Sequence, residues 1–374
     1  MIRFLHTADW QIGKPFGNCP PDERGELRAE RFAAVARIAA LATQRGCDAV
    51  LVAGDAFDDN MVSDRELNRT IEAMSGFAGP WVMLPGNHDA ALSVSVWTRL
   101  AVMKPAARIM VADRPEPIHL GEGRLAILPA PLTRRHEGAD LTAWFDAAET
   151  PAGAIRVGLA HGSVLGRLPD KAESGNPIAG DRAARARLDY LALGDWHGFL
   201  EIAARTFYAG TPEPDRHRAN EPGHVAIVEI EAPGTAPRVE KVRVGRFRWR
   251  VLDLRLHGGP AELEHALTEI EAPGETLLDL CLSGSLPLRE RVTLEERLEH
   301  WRSRFFILSV RDAALFDAPD EDDLDRIDLA GFVRVAVERL RAKAADPADP
   351  EREAAALALR TAYVEHRRLE PDGA

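Results

Sequence analysis

The sequence predicts an α/β fold in which helices cover a largely parallel sheet. Short apolar runs recur along the chain, and each is closed by glycine, proline or a polar cluster, which is typical of buried strands. Between the first three runs, apolar residues recur at helical spacing, so the first 90 residues alternate strand and helix. This alternation favours a sheet with helices on its faces.

The first elements follow in order from these patterns. Apolar runs at 2–5, 49–53 and 81–84 are the first three predicted strands. Residues 27–44 are predicted as a helix because their apolar side chains repeat every 3.6 residues before Gly46, which suits a helix end. Ser63 to Glu66 has the capping-box pattern that opens a second helix.

The rest of the chain predicts three segments. Residues 1–245 form the first domain, completed by strands at 109–111, 125–128, 155–160, 190–193, 207–209, 225–228 and 239–244. Residues 246–315 read strand, helix, strand, helix, strand and are predicted as a small α/β domain. Residues 316–374 begin with an acidic, proline-containing linker and end in two amphipathic helices.

Composition bounds the function and the compartment. The formal net charge of −12 argues against a protein that coats nucleic acid by bulk charge. It does not exclude a nuclease, because bound metal ions supply strong local positive charge. Cys19, Cys47 and Cys281 show no metal-binding spacing and favour a reduced, cytoplasmic setting. No leader segment and no membrane span are expected, so no membrane partner is predicted.

Polar clusters follow five of the predicted strands directly. The clusters lie at residues 6–11, 54–58, 86–89, 161–162 and 194–198. In open α/β sheets, binding sites lie beyond the carboxyl ends of the strands, so these clusters are expected to converge. Each alone has an ordinary structural explanation, since an aspartate after a strand is often a turn or helix cap. Their combination favours one site.

Aspartate, asparagine and histidine side chains at one place can surround two divalent ions. Two such ions clamp an in-line phosphoryl displacement, in which an ion-bound water attacks phosphorus as hydroxide. One carboxylate usually bridges the ions, and Asp55 is the natural bridge from its central position. A nearby histidine can then protonate the leaving oxygen or stabilise charge on the phosphate.

These motifs resemble the calcineurin-like metallophosphoesterase superfamily. The resemblance lies in Asp9, Gly54-Asp55-x-x-Asp58, Gly86-Asn87-His88-Asp89, His161 and Gly194-x-x-His197. Within the superfamily, the segments FLHTADWQIG at 4–13 and DYLALG at 189–194 resemble the SbcD-type DNA double-strand-break repair exonucleases. The resemblance rests on specific motifs over residues 1–245 and on architecture alone beyond them.

The resemblance implies a fold and a ligand set. The expected fold is a metallophosphoesterase β-sandwich flanked by helices, plus a small α/β capping domain and C-terminal helices that dock on an SMC-like ATPase of the SbcC type. The first ion is expected to bind Asp9, Asp55, His197 and Gln11. The second is expected to bind Asp55, Asn87, His161 and Asp195. His88 is implied as the catalytic histidine that faces the phosphate.

Two of these positions depart from the commonest family pattern. Positions 11 and 195 are usually histidine and here are Gln11 and Asp195. Each ion would then have three oxygen ligands and one imidazole. This harder set favours Mn²⁺, or else Mg²⁺, over Zn²⁺.

Several other residues have both a functional and a purely structural interpretation. Asp58 is expected to accept a hydrogen bond from His88 through its carboxylate and to be a second catalytic residue, or else to cap the following turn. His6 either supports the metal ligands or is a satisfied core residue. Arg216 either contacts substrate phosphate or belongs to a proline-fixed turn. Trp10 and Trp196 either stack on bases or wall the pocket.

The predicted function is a metal-dependent DNA exonuclease or endonuclease subunit that hydrolyses phosphodiester bonds with two ions, in DNA repair, with DNA and the SMC-like ATPase as partners. One alternative is a phosphoesterase for small phosphodiesters or phosphoproteins. Another is a weakly active DNA-end-binding scaffold. The residues after the first domain favour the two DNA-related functions, because a small-molecule esterase does not need them. The sequence leaves a homodimer open.

Overall fold

The structure is a computed structural model that describes residues 1–103, 105–168, 175–218, 220–257, 260–318 and 332–369. The chain divides into two compact units, Met1–Trp249 and Arg250–Ala374.

The first unit contains two six-stranded sheets. One sheet has the order β14-β13-β1-β2-β3-β4, with strands Arg238–Arg243, His224–Ile230, Ile2–Thr7, Ala49–Val52, Trp81–Met83 and Ile109–Val111. The other has the order β11-β12-β10-β7-β6-β5, with strands Leu200–Ala203, Thr206–Tyr208, Tyr190–Gly194, Ile155–His161, Leu125–Ala130 and Ile118–Leu120. A small two-stranded sheet pairs β8 (Ser163–Val164) with β9 (Pro177–Ile178).

The helices of this unit are α1 (Pro21–Gln44), α2 (Asp64–Ala73), α3 (Val96–Val102) and the short α4 (Arg182–Arg185). Three-residue and six-residue 3₁₀ segments lie at Met74–Gly76 and Leu141–Asp146. Helices α1 to α3 cover the outer face of the first sheet through a core that includes Val35, Ile38, Leu67 and Trp97.

A second core lies between the two sheets. Strand β1 shows how one strand serves both cores, because its side chains alternate between faces. Phe4 points toward the second sheet, whereas Leu5 packs under the helices. Both side chains are fully buried. The predicted β-sandwich flanked by helices is therefore confirmed, with mixed rather than purely parallel sheets.

Two helix starts illustrate what local sequence can and cannot predict. The capping box before α2 is present, since Glu66 N–H donates to Ser63 Oγ at 3.3 Å and Ser63 N–H donates to Glu66 Oε2 at 2.9 Å. Helix α1 begins at Pro21, six residues before the predicted start at Leu27. Proline suits the first helical turn because its missing N–H has no partner there, and Asp22 and Glu23 complement the helix dipole.

The second unit has the predicted strand-helix alternation. Its elements are β15 (Arg248–His257, which starts just before the boundary), α5 (Ala261–Thr268), β16 (Thr276–Pro287), α6 (Leu288–Arg302) and β17 (Ile307–Ala318). The sheet order is β15-β16-β17, with β16 and β17 parallel. A 3₁₀ segment lies at Pro273–Glu275. The two helices α7 (Phe332–Ala345) and α8 (Arg352–Leu369) pack on each other, and α8 also contacts β17.

Most of the predicted acidic linker lies outside the described residues, which resume at Phe332. The assignment of three functional domains with a boundary near 245 stays a prediction. Among the helices of the described ranges, none is both long and apolar enough to cross a bilayer.

Candidate metal centre

The sheet arrangement brings the five polar clusters to one edge. Strands β1, β2 and β3 are parallel neighbours in the first sheet, and β7 and β10 are parallel neighbours in the second. Their carboxyl ends therefore lie together, as expected for parallel strands. The loops after β1 and β2 are also paired directly, because Asp9 N–H donates to Gly54 O and Gln11 N–H donates to Asp55 O, both at 3.0 Å.

Three oxygen atoms from candidate ligands lie around Nε2 of His161. Its Nε2 lies 2.8 Å from Asn87 Oδ1, 3.5 Å from Asp55 Oδ1 and 3.8 Å from Asp195 Oδ1. These are the four residues that the resemblance assigned to the second ion. All four come together, and His161 and Asp55 are almost completely buried.

The main chain determines which nitrogen of His161 faces this cluster. Nδ1 lies 2.8 Å from the carbonyl oxygen of Ala53, and since a carbonyl can only accept, Nδ1 carries the proton. Nε2 then faces the cluster and would bind a cation in exchange for any proton that it carries. The approach requires glycine at position 54, because a Cβ there would lie 2.2 Å from His161 Nδ1.

The residues assigned to the first ion lie beside this set. Gln11 Nε2 donates to Asp55 Oδ2 at 2.9 Å, so the amide nitrogen of Gln11 faces the shared carboxylate. The carboxylate of Asp9 accepts from Asp195 N–H at 3.1 Å. One oxygen each of Asp9 and Asp55 and one nitrogen of His161 lie within 4.8 Å of one another. His197 is within electrostatic range of Asp9.

The electrostatics of the cluster fit a cation. Asp9 and Asp55 are buried, and among the described residues no lysine or arginine forms an ion pair with either. Burial, with Asp55 and Asp195 adding to it, raises the pKa of Asp9 to about 6. Burial would lower the pKa of His161, but the carboxylates of Asp55, Asp9 and Asp195 outweigh it and raise that pKa to about 9. Buried carboxylates need a compensating cation, and divalent metal ions supply it.

The backbone at these positions is unusual. Asp9, Gln11, Asp55 and Asp195 have φ values of 53°, 50°, 52° and 98°. Non-glycine residues rarely adopt this left-handed region, and each instance costs about 1 kcal/mol or more. Four of the seven candidate ligands therefore carry backbone strain, which clusters at functional sites.

The loop after β3 is built around Asp89. This buried carboxylate accepts from Gly86 N–H at 2.6 Å and from Phe57 N–H at 3.1 Å. Burial, with Asp55 next, raises its pKa to about 8. His88 N–H donates to Asp55 Oδ1 at 2.9 Å, and a Cβ on Gly86 would lie 2.2 Å from that oxygen. Asp89 thus shapes the loop that carries Asn87 and His88.

The contact between His88 and Asp58 differs from the expectation. His88 Nδ1 donates to the main-chain carbonyl oxygen of Asp58 at 2.8 Å, not to its carboxylate. The carboxylate instead lies 4.0 Å from Lys14 Nζ. The turn after β2 directs the carbonyl of residue 58 toward the ring. The proton is still fixed on Nδ1, so in the neutral ring Nε2 is the nitrogen without a proton, and the ring is partly exposed.

The structure places three other residues whose roles the sequence left open. His6 is fully buried, with Nδ1 3.1 Å from the Tyr190 hydroxyl and Nε2 3.2 Å from Leu193 O, so it links β1 to β10. Burial lowers its pKa to about 3. Trp10 is 1% exposed and donates to Thr7 Oγ1, which excludes base stacking. Trp196 is partly exposed beneath the guanidinium of Arg218.

Asp215 was missed as a supporting residue of the centre. Its Oδ1 lies 3.2 Å from His197 Nδ1, and its side chain is 1% exposed. Burial would raise the pKa of Asp215, but His197, Arg216 and Arg31 hold it well below the usual value. The only sequence signal was the turn from Thr211 to Arg216. For His197 the directions are reversed. Burial would lower its pKa, but Asp215 more than offsets this effect, so the pKa of His197 is raised.

Comparisons with known proteins agree with this geometry. The family model for the calcineurin-like phosphoesterase matches residues 2–168. The chain is 28% identical over 266 residues to the DNA double-strand break repair protein Mre11 of Aeropyrum pernix, covering 66% of this chain and 62% of that protein. It is 30% identical over 288 residues to SbcD, a component of the nuclease SbcCD of Rhodobacter capsulatus, covering 63% of this chain and 68% of that protein.

The match to the Mre11 relative therefore spans less than two thirds of its length. The family match includes the loops that carry Asp9, Asp55, Asn87 and His161. The strand ends, the buried acidic cluster and these matches lead to one assignment: the chain belongs to the calcineurin-like phosphoesterase family and is a homologue of Mre11 and SbcD.

Proposed function

We propose that the chain is a metal-dependent phosphodiesterase that cleaves DNA in double-strand-break repair. Membership in the family makes it a phosphoester hydrolase by class. The observation that carries the proposal is the convergence of His161 Nε2 with the oxygens of Asn87, Asp55 and Asp195, at 2.8, 3.5 and 3.8 Å, in a buried site without a lysine or arginine partner among the described side chains. The names of both relatives specify DNA repair or nuclease activity.

The centre would hold two divalent ions. Asp55 would be shared, because its Oδ1 faces His161 and its Oδ2 faces Gln11. The coordination shell of the first ion would be completed by Asp9, Gln11 and His197. That of the second ion would be completed by Asn87, His161 and Asp195. Oxygen donors dominate both sets, which favours Mn²⁺ or Mg²⁺. When bound, such ions polarise the phosphodiester and offset its negative charge.

The chain's own residues then supply orientation and proton transfer. The Asp58 carbonyl fixes the proton of His88 on Nδ1, so that Nε2 is directed away from this anchor. His88 is the group proposed to contact the phosphate or its leaving oxygen. Asp89 keeps the loop in place through Gly86 and Phe57. Asp58 contributes its main chain to this arrangement.

The activity is tested directly with purified protein and Mn²⁺ or Mg²⁺. The substrates are labelled linear duplex DNA, single-stranded DNA and a chromogenic phosphodiester, with Asp55→Asn as the inactive control. Cleavage of DNA that needs the metal and Asp55 supports the proposal. Turnover of the chromogenic ester alone would indicate a small-molecule phosphoesterase, and DNA binding without any turnover would indicate a scaffold.

We extend the proposal to an SMC-like ATPase as partner of the C-terminal helices. The name of the Rhodobacter relative describes it as one component of a complex. Val335 on α7 is 49% exposed and Leu357 on α8 is 52% exposed. Solvent-exposed apolar residues on paired helices suit a helical partner. Truncation after Ala318 should keep nuclease activity on simple substrates and abolish ATPase binding, whereas an insoluble product would indicate that these helices belong to the core.

A further inference from the structure

His197 has two polar neighbours that compete for one ring nitrogen. Asp215 Oδ1 lies 3.2 Å from Nδ1, and Arg216 Nη2 also lies 3.2 Å from Nδ1. A carboxylate can only accept from this nitrogen, and a guanidinium can only donate to it. The two contacts therefore demand opposite protonation states of Nδ1. Whichever neighbour prevails determines whether Nε2 is bare or carries the proton.

The difference matters because a histidine binds a metal ion through an unprotonated nitrogen. If Nδ1–H donates to Asp215, the neutral ring presents a bare Nε2. If Nδ1 accepts from Arg216, the proton resides on Nε2 and the neutral ring cannot coordinate through that atom. His161 faces no such choice, because its Nδ1 lies 2.8 Å from the carbonyl oxygen of Ala53, which can only accept, and among the described residues no competing donor contacts this nitrogen.

We infer that Asp215 is a positioning residue of the metal centre, which sets the tautomer of His197 by accepting its Nδ1 proton and by engaging Arg216. This inference rests on the proposed metal site at His197. Arg216 donates through Nε to Asp215 Oδ1 at 3.1 Å and through Nη2 to Oδ2 at 3.0 Å. The same carboxylate that accepts from the histidine thus also holds the guanidinium and takes one of the two hydrogens of Nη2.

Asp215 itself is firmly placed. Lys14 Nζ lies 2.9 Å from its Oδ2, so both carboxylate oxygens have cationic partners. Its side chain is 1% exposed, whereas that of Arg216 is 48% exposed. The loop is also tied to the histidine, because Thr211 N–H donates to the His197 carbonyl at 3.1 Å. A carboxylate that receives the second N–H of a metal-binding histidine orients the ring, and its loss typically costs about 10–100-fold in metal affinity.

The first measurement uses the metal-free protein. Full-length chain labelled with ¹⁵N-histidine reports ring tautomers by long-range ¹H–¹⁵N correlation, and His197→Gln identifies the His197 signal. At a pH high enough for a neutral ring, since Asp215 raises the pKa of His197 despite its burial, the wild type should show the Nδ1–H tautomer. Asp215→Ala should shift it toward Nε2–H, because Arg216 is then free to donate to Nδ1. The double variant Asp215→Ala/Arg216→Ala should lose that bias.

Asp189 provides a matched control at the other end of β10. It is also a buried carboxylate, 5% exposed in its side chain, and accepts from Arg156 N–H at 2.8 Å and Gly234 N–H at 2.6 Å. Asp189→Ala should destabilise the domain without altering the His197 tautomer. Asp215→Asn, which keeps an acceptor oxygen but no charge, serves if Asp215→Ala does not fold, and should have an intermediate tautomer ratio.

The second measurement is a Mn²⁺ titration monitored by isothermal calorimetry. Asp215→Ala should weaken one of two sites by about 10–100-fold, the same site that His197→Gln loses, and leave the other unchanged. An unaltered tautomer in Asp215→Ala, or a loss of affinity no greater than in Asp189→Ala, would overturn the inference. If the wild type binds no Mn²⁺, the proposed function fails, and the tautomer measurement still decides the role of Asp215.

Discussion

The two imidazoles of the proposed metal centre are oriented by different means. His161 donates Nδ1–H to a main-chain carbonyl, that of Ala53, at the end of a buried strand. His197 meets a side chain, Asp215, from a loop after β12. The first arrangement follows from strand pairing and from the glycine at position 54. The second depends on the side chain of Asp215, which Arg216 and Lys14 hold in place, and can be removed by one substitution.

This difference predicts how each half tolerates change. Around His161, the anchor is a main-chain carbonyl, so apart from the ligands themselves the support can be disturbed mainly by adding a side chain at a neighbouring glycine such as Gly54. Around His197, both the ligand and its support are open to substitution. We therefore expect the part of the centre around His161, which is assigned to the second ion, to be the more rigid one. The part around His197, which is assigned to the first ion, should change its metal affinity more readily on mutation.

The largest expected effect comes from the residue common to both halves. Asp55→Asn should remove both ions together and lower hydrolysis by more than about 10⁴-fold, because a shared carboxylate is lost rather than one proton-transfer group. Metal analysis of the purified variant checks this. Two retained equivalents of metal would show that Asp55 does not bridge the halves. Asn is nearly isosteric, so the hydrogen bond from His88 N–H retains an acceptor oxygen.

The next effect separates chemistry from metal binding. His88→Gln should lower hydrolysis by about 10²–10⁴-fold, the range for a general acid. Metal content and melting temperature should remain close to the wild type, because the ring is partly exposed and its anchor is a carbonyl. Parallel metal analysis and thermal unfolding are the controls. Loss of metal along with activity would make His88 a ligand and not a phosphate-facing residue.

The sequence predicted the parts of this centre that follow from strands. Asp55, Asn87 and His161 each come directly after an apolar run, and parallel strands carry such residues to one edge. The small α/β unit and the capping box of α2 follow from periodicity and local spacing in the same way. Metal ligation by these residues stays a prediction.

The rest depended on loop conformation. Nothing in the turn from Thr211 to Arg216 specifies that Asp215 reaches a histidine 18 residues earlier in the chain. The choice between carbonyl and carboxylate of Asp58 depends on the turn after β2. The left-handed backbone of Asp9 and Asp195 likewise depends on tertiary contacts, because an aspartate seldom adopts positive φ from its local sequence alone.

A third histidine sharpens the comparison because it supports the centre without facing an ion. His6 joins the strands that lead to the two halves, and burial lowers its pKa from 6.5 to about 3. Its neutral form stabilises the fold, so this contribution is present above pH 6.5 and is lost as pH falls toward 3. Between pH 7 and pH 5 the loss is about 2 kcal/mol by linkage.

Denaturant unfolding of the wild type and His6→Gln at pH 7 and pH 5 tests this contribution. The variant should be less stable at pH 7 because two buried hydrogen bonds change, but its stability should fall less on acidification. Comparing the two pH differences removes the groups that titrate equally in both proteins. Equal pH dependence of the unfolding free energy in the two proteins would mean that protonation of His6 does not destabilise the fold.

The smallest expected effect concerns Asp58, where the structure replaces the expected dyad. Because His88 is anchored by the carbonyl of residue 58, Asp58→Asn should keep the Nδ1–H tautomer and both metals. The remaining change is the loss of a carboxylate 4.0 Å from Lys14 and within electrostatic range of His88, which is worth about 1 kcal/mol or less at a partly exposed site. Steady-state rates should therefore fall by less than about tenfold. A 10²-fold fall in kcat would contradict this expectation. If the double variant Asp58→Asn/His88→Ala were then no slower than His88→Ala alone, the two side chains would act as a carboxylate–imidazole dyad. The side chain of Asp58 would in that case turn toward His88 during the reaction.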